Sequence, residues 1–299
     1  MIPRLLAELA RALGTLLGAA LLLLVGLELA PGSPADLVPD PAVADVLSAH
    51  WGLDRPVSGR ALSWLGRVLT GDLGTSFAYR PGAPVTEVIA GPLGRTAVLL
   101  ALAFPLLLAL GQLPRRSRSL MVAISALPVF LLAHLVVSGV NAATWEALQA
   151  GWIARPAWFA LPSVESPVRT GLAAFVLALG SNLAGDLQTD VLRSRAQLER
   201  SDFAAVARVH GTEGPGWRHT VLLGLPAVLG RIPALLGGCV ILERVFLVNG
   251  AGWVLWEAAM ARDFELAMAL ALLAAAVIAS ANLASEGLRI VLDPREREL

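Results

Sequence analysis

The sequence predicts an all-α, polytopic membrane protein with six transmembrane helices. Two observations carry this: six apolar runs are long enough to cross a bilayer, and the short loops on one side of them hold most of the nearby arginine. Composition is the third, with 56% hydrophobic and 15% charged residues and zero formal charge over 299 residues. Mean hydropathy is +0.69, which places the chain in the membrane class. A soluble domain cannot bury so many such runs, so lipid is the solvent for most of the molecule.

The first span is read at 1–30, with its apolar part from Ala12 to Ala30. The second runs from Thr96 to Leu113, the third from Leu120 to Val140 and the fourth from Gly171 to Leu187. The fifth covers Thr220 to Leu242 and the last Phe264 to Leu283. Each is about 17 to 23 residues, which at helical rise matches a hydrocarbon core of about 30 Å. Arg4 and Arg11 precede the first span, Arg115, Arg116 and Arg118 fill the second-to-third loop, and Arg289, Arg295 and Arg297 follow the last. By the positive-inside rule these face the cytoplasm, as do Arg193, Arg195, Arg200, Arg208 and Arg218 between the fourth and fifth spans, so both termini are expected inside. A cleaved signal peptide is the competing reading of the first run, which exceeds the usual signal length of about 7 to 15 apolar residues.

Residues 31–95 form an extracytoplasmic segment too rich in turns to be one element. Val43 to His50 and Val57 to Leu69 carry helical apolar spacing within it, so a small outer cap of short helices is expected. The remainder, 96–299, reads as a core of five spans with a cytoplasmic loop at 188–219. Asn141 to Arg169, with Trp145, Trp152 and Trp158, reads as an outer interfacial loop, where indole rings favour the headgroup level.

Several chemistries are excluded or unsupported. All 23 basic residues are arginine. Without lysine there is neither a P-loop ATP site nor Schiff-base chemistry. Cys239 is the lone cysteine, so one chain can build neither a disulfide nor a thiolate metal site, and no cofactor is expected. The histidines, His50, His134, His210 and His219, have no ligand-pair spacing and no H-E-x-x-H. Gly185-Asp186 has Leu183 where an aspartyl intramembrane protease wants a second glycine, and Ser181 has Leu179 two residues before it instead of the glycine of G-x-S. No nucleophile is visible, and an intramembrane hydrolase using Asp186, Ser181 or His134 is kept only as an alternative.

Two polar features lie within apolar sequence. Asn182, Asp186 and Asp190, at i, i+4 and i+8, are expected on one helix face, either toward the bundle interior or as the helix emerges into the cytoplasm. Arg231 lies well inside the fifth span, where a charge needs water or a partner. It either faces a translocation pathway, with Asn182 a second candidate, or snorkels near the break made by Pro226 and Pro233.

After the fifth span come Ile241-Leu242-Glu243-Arg244-Val245-Phe246, Asn249-Gly250-Ala251-Gly252, Ala258 and Arg262-Asp263-Phe264. This run resembles the C-terminal signature of permease subunits of ABC importers of the dipeptide, oligopeptide and nickel type. Pro31-Gly32-Ser33-Pro34, Gly52-Leu53-Asp54-Arg55-Pro56 and Gly71-Asp72-Leu73-Gly74-Thr75-Ser76-Phe77 resemble that family's cap motifs, and Asn282, Glu286 and Asp293-Pro294-Arg295 its ending. From the residues alone, Gly250 and Gly252 are expected to supply backbone angles for a sharp turn, and Glu243 to pair with Arg262 or Arg244.

The resemblance implies a type I ABC importer permease fold and a transmembrane permease subunit of an ATP-driven importer. Such a subunit forms half of a pathway for peptides or a related small solute in a prokaryotic cell membrane. Its implied partners are a second permease, identical or not, two ATP-binding cassette subunits that bind the ATP, and an extracytoplasmic solute-binding protein. The implied contact with the ATPase is the loop between spans four and five, with Asp202, Phe203, Ala205, Ala207 and Gly211 at the family's coupling-motif positions. Independently, Phe203, Val206 and Val209 can form a short apolar face ended by Gly211, which calls for a partner protein or for lipid. That loop and the second-to-third loop are shorter than the family's, so a divergent non-transporting membrane subunit is the alternative function.

Overall fold

The computed structural model describes residues 2–29, 39–50, 56–152, 167–200 and 224–292. Among them the structure is helical: α1 Ile2–Leu29, α2 Pro41–His50, α3 Val57–Leu69, α4 Val85–Gly111, α5 Arg118–Ser125, α6 Val129–Gln149, α7 Pro167–Leu179, α8 Leu183–Glu199, α9 Ile232–Val245, α10 Ala251–Met260 and α11 Phe264–Leu292. One isolated antiparallel bridge joins Thr75 and Pro84. Among the described residues, three helices are long and apolar enough to cross a membrane, namely α4, α6 and Phe264–Arg289 of α11. Pro167–Leu179 and Leu183–Gln197, bent by 54° at a short break, qualify together as a fourth, either a broken span or a re-entrant loop.

The chain forms two compact units. The first comprises Met1–Glu8, Thr96–Val248 and Ala281–Leu299, and the second Leu9–Arg95 and Asn249–Ser280. In the first, α9 packs on α6 and α7 while α8 packs on α5 and α7. Its core takes Leu99, Ala103 and Leu107 from one face of α4, a run of α7 from Ala173 to Leu179, Leu187 and Val191 of α8, and Leu235, Cys239 and Leu242 of α9. Small residues let the helices approach closely: a Cβ on Gly238 would come within 2.5 Å of Leu177, and one on Gly111 within 2.7 Å of Leu187. The second unit packs Trp64, Val85, Val88 and Ile89 against Val254, Ala258, Leu266 and Ala269.

Four elements differ from the sequence expectation. The run expected to span from Leu120 to Val140 is two helices, because Pro128 (φ −54°, ψ 138°) sits at the N-cap of α6. Proline pushes the residue before it out of helical geometry, and the apolar helix starts afresh at Val129 and continues to Gln149, through residues expected in a loop. The expected fourth span breaks at Gly180–Asn182, where Ser181 (φ 54°) and Asn182 (φ 62°) are left-handed. Asn182 therefore lies in the bend ahead of α8 and does not share one continuous helix face with Asp186 and Asp190. The fifth is interrupted at Gly230 and Arg231, between helical residues 224–229 and α9. Finally, the turn after α9 is not made by the predicted glycines. Gly250 has φ −88° at the N-cap of α10 and Gly252 lies inside that helix, whereas Leu247 takes the left-handed angle, φ 55°.

Candidate functional site

Two polar clusters stand out, one in each unit. In the second unit, the segment Gly71-Asp72-Leu73-Gly74-Thr75-Ser76 meets Asp263 and Glu265 at the start of α11. Gly71 (φ 87°) ends α3 in the left-handed conformation that glycine adopts without strain. The Asp72 carboxylate accepts from the Gly74 amide at 2.8 Å, and the Leu73 carbonyl accepts from the indole of buried Trp64 at 3.0 Å. Gly74 (φ 87°) has no room for a side chain, since a Cβ would lie 1.8 Å from Glu265 Oε2. With the Cβ absent, Glu265 reaches past it to accept from the Thr75 amide at 2.8 Å and from Arg67 Nη2 at 2.5 Å.

Asp263 is fully buried. Its Oδ2 accepts from the Ser76 hydroxyl at 2.5 Å and from the Ala78 and Tyr79 amides, both at 3.0 Å. The Ser76 oxygen in turn accepts from the Arg80 amide at 2.8 Å. The main-chain carbonyl of Asp263 starts α11 by accepting from Ala267. One aspartate thus satisfies a buried hydroxyl and two half-buried amides and begins a long apolar helix, an arrangement costly to disturb in a low-dielectric interior.

In the first unit, α8 is gripped by single polar side chains. Gln188 is fully buried, and its Nε2 donates to the Leu113 carbonyl at 3.1 Å, the Pro114 carbonyl at 3.2 Å and the Ser117 hydroxyl at 3.0 Å. Arg195 donates to Gln112 Oε1 at 2.7 Å. Arg231, at the N-cap of α9, donates through Nη2 to Asp190 Oδ2 at 2.7 Å and through Nη1 to the Ala227 carbonyl at 2.7 Å. Arg193 is a looser neighbour of Asp190 at 3.9 Å. The Ser285 hydroxyl of α11 donates to the Pro226 carbonyl at 2.7 Å, fastening the same turn from another side. The stretch 201–223 connects these two gripped regions.

The sequence-predicted residues fall as follows. Asp202, Phe203, Ala205, Ala207 and Gly211 lie outside the described residues, as do Thr212–Gly216, Trp158, His210, His219, 31–34, 52–55 and 293–295. Asn182 is exposed at the bend, and its amide donates to the Ser125 carbonyl at 2.6 Å. Arg231 is paired with Asp190, the partner that sequence spacing had not supplied. Glu243 is buried and its Oε1 accepts from the Thr96 hydroxyl at 2.5 Å. His134 lies 3.5 Å from the Ser138 hydroxyl within α6, Ser181 is in the bend and Asp186 one turn beyond it. No group of three or more metal-ligating side chains occurs among the described residues. Gln188 and the Asp263–Ser76 contact were missed: the first is an ordinary polar residue near a span end, and the second joins positions 187 residues apart.

Helices of membrane-crossing length around apolar cores define a multi-pass membrane protein. No family model matches the chain. It is 29% identical to a provisionally named peptide permease protein of Brucella suis biovar 1, covering 95% of each chain. It is 28% identical to the oligopeptide transport system permease protein of Bacillus subtilis, covering 94% of each. Similarity to the glutathione transport system permease protein of Pectobacterium atrosepticum is 26% over 95% of each. Over nearly its whole length the chain is thus similar to permease subunits of peptide, oligopeptide and glutathione transport systems of the ABC class. Subunits of this class are not enzymes and hold no cofactor, since ATP is bound by the ATPase subunits they work with.

Proposed function

We propose that the chain forms half of the translocation pathway of an ATP-driven importer for peptides or a related small solute. It crosses a prokaryotic cell membrane six times with both termini in the cytoplasm and carries a small helical cap outside. A second permease completes the pathway, two ATP-binding cassette subunits drive it and an extracytoplasmic binding protein delivers the solute. The observation that carries this is the full-length similarity to permeases named for peptides and glutathione. The cap interlock supports it, because Gly74, Ser76 and Asp263 belong to motifs that resemble the importer family and interact side by side.

The ATPase docks on the loop at 188–219, through Asp202, Phe203, Ala205, Ala207 and Gly211. Its apolar residues suit a groove on a partner protein. Asn182, exposed at a break inside a span, is the candidate for the solute pathway, because interrupted helices are tolerated where they face protein or water. Arg231, occupied by Asp190, suits a mechanical part better. Glu243, Gly250, Gly252, Arg262 and Asp263 serve the architecture after α9.

The test is co-purification with the ATP-binding cassette subunits encoded beside this chain, repeated with Phe203→Arg and Gly211→Arg. Retention by the unaltered chain and loss in both variants is expected. Retention in both variants refutes the placement of the docking stretch, and no association with any ATPase favours a non-transporting membrane subunit.

A further inference from the structure

Arg115, Arg116 and Arg118 occupy three of the four positions that open the turn between α4 and α5, and all three are exposed. The turn that bears them is firmly tied. Arg115–Ser117 is a single 3-10 turn in which the Arg118 amide donates to the Arg115 carbonyl. The Ser117 amide and hydroxyl both donate to the Pro114 carbonyl, at 3.0 and 2.8 Å. From α8, fully buried Gln188 donates to the Leu113 and Pro114 carbonyls and to the Ser117 hydroxyl. A buried amide thus fixes the backbone on which the guanidinium groups stand, and little backbone ordering is left for a ligand to supply.

The positive charge is not answered within the described protein. No carboxylate among the described residues forms an ion pair with Arg115, Arg116 or Arg118. Asp190 of α8 is engaged by Arg231 and Arg193. Arg195 brings a fourth cation to the same end of α4, where its Nη2 donates to Gln112 Oε1 at 2.7 Å.

Depth and neighbours select the anion. α4 is long and apolar enough to cross a membrane, and Arg115 comes four residues after its last residue, Gly111, which puts the arginines at headgroup level. Directly after them, α5 buries Met121 and Ser125 and leaves Leu120 60% and Val122 44% exposed. Cations at headgroup level followed by exposed aliphatic side chains match a molecule with a negative head and acyl chains. A soluble anion would use only the first half of that surface.

We propose that Arg115, Arg116 and Arg118 form a binding site for the phosphate of an anionic phospholipid. Arg195 adds to the local field, Leu120 and Val122 lie along the acyl chains, and Gln188 is a positioning residue that keeps the turn in shape. A planar guanidinium can give two parallel hydrogen bonds to one phosphate, so a fixed set of three discriminates strongly for a negative head. The site depends on the membrane-crossing helices alone and stands whether or not an ATPase binds this chain.

The test is native mass spectrometry of the full chain, released from detergent containing equal amounts of phosphatidylglycerol and phosphatidylcholine, read as the ratio of the two in the first lipid bound. A preference of about fivefold or more for phosphatidylglycerol is expected. Arg115→Gln, Arg116→Gln and Arg118→Gln together should bring it below about twofold, whereas the three lysine replacements, which keep the charge, should retain about half of it or more. Gln188→Met leaves every arginine in place and should still lower the preference about twofold. Arg80→Gln, at an exposed arginine of the second unit, should leave it unchanged. Excess inorganic phosphate should not displace the lipid.

Equal binding of the two lipids by the unaltered chain overturns the proposal, as does a preference that survives in the triple glutamine variant. Displacement by inorganic phosphate overturns it too, making this a site for a free anion. So does a triple glutamine variant that keeps its lipid and loses a co-purifying protein, which makes the turn a protein contact. An unchanged ratio in Q188M removes the positioning role. The triple glutamine variant alters only exposed side chains, so it decides the matter even where Gln188→Met lowers stability.

Discussion

The two units solve the same problem, holding polar groups inside an apolar protein, in opposite ways. The second unit concentrates its long-range polar bonds on two short segments, so that Asp263 and Glu265 between them accept from Ser76, Ala78, Tyr79, Thr75 and Arg67. The first spreads them over single residues, Gln188, Arg195, Asp190 and Arg231, each bonding a different turn. Concentration makes a rigid joint that fails as a whole. Dispersal makes a set of separate attachments that can be loosened one at a time.

That contrast can be broken most directly at Asp263. Asp263→Ala strands the buried Ser76 hydroxyl and two amides, and is expected to lower unfolding stability by about 3–5 kcal/mol, read by thermal unfolding in detergent. Asp263→Asn, which keeps an acceptor, should lose clearly less. Next comes Gly74→Ala, which combines a left-handed backbone with collision against Glu265 and should cost about 2 kcal/mol or more in the same assay.

In the first unit, Gln188→Met removes one donor from the Leu113 and Pro114 carbonyls and should cost about 1–3 kcal/mol. A loss at Gln188 equal to that at Asp263 would erase the distinction between the units. The smallest change is expected from Ser181→Gly, which relieves a left-handed serine and raises stability by no more than about 1 kcal/mol, offset in part by the freer unfolded chain.

Legibility followed the same division. The apolar runs within α4 and α11, and the short helices α2 and α3, were visible in run length and spacing, whereas α6 is offset from the run expected there because Pro128 restarts the helix. The segment Gly71–Ser76 and the residues Arg262-Asp263-Phe264 were conspicuous as patterns, though nothing local says that they meet. Left-handed angles at Leu247 and Ser181 carry no signal of their own, Asn182 carries only the weak one of a residue that tolerates positive φ, and the glycines Gly250 and Gly252 draw the expectation of a turn to themselves. Arg231 was conspicuous as an expensive charge. Its partner was not, because the pairing of Asp190 with Arg231 is set by tertiary packing across a long connection and leaves no periodicity to read.

The bend at Ser181–Asn182 also makes a demand on its surroundings. A three-residue gap in a span interrupts the ladder of main-chain bonds, and acyl chains offer nothing to complete it. The protein answers part of that demand itself, since the Ser125 carbonyl at the end of α5 accepts from the Asn182 amide, so the neighbouring helix serves the break as the polar companion that lipid cannot be.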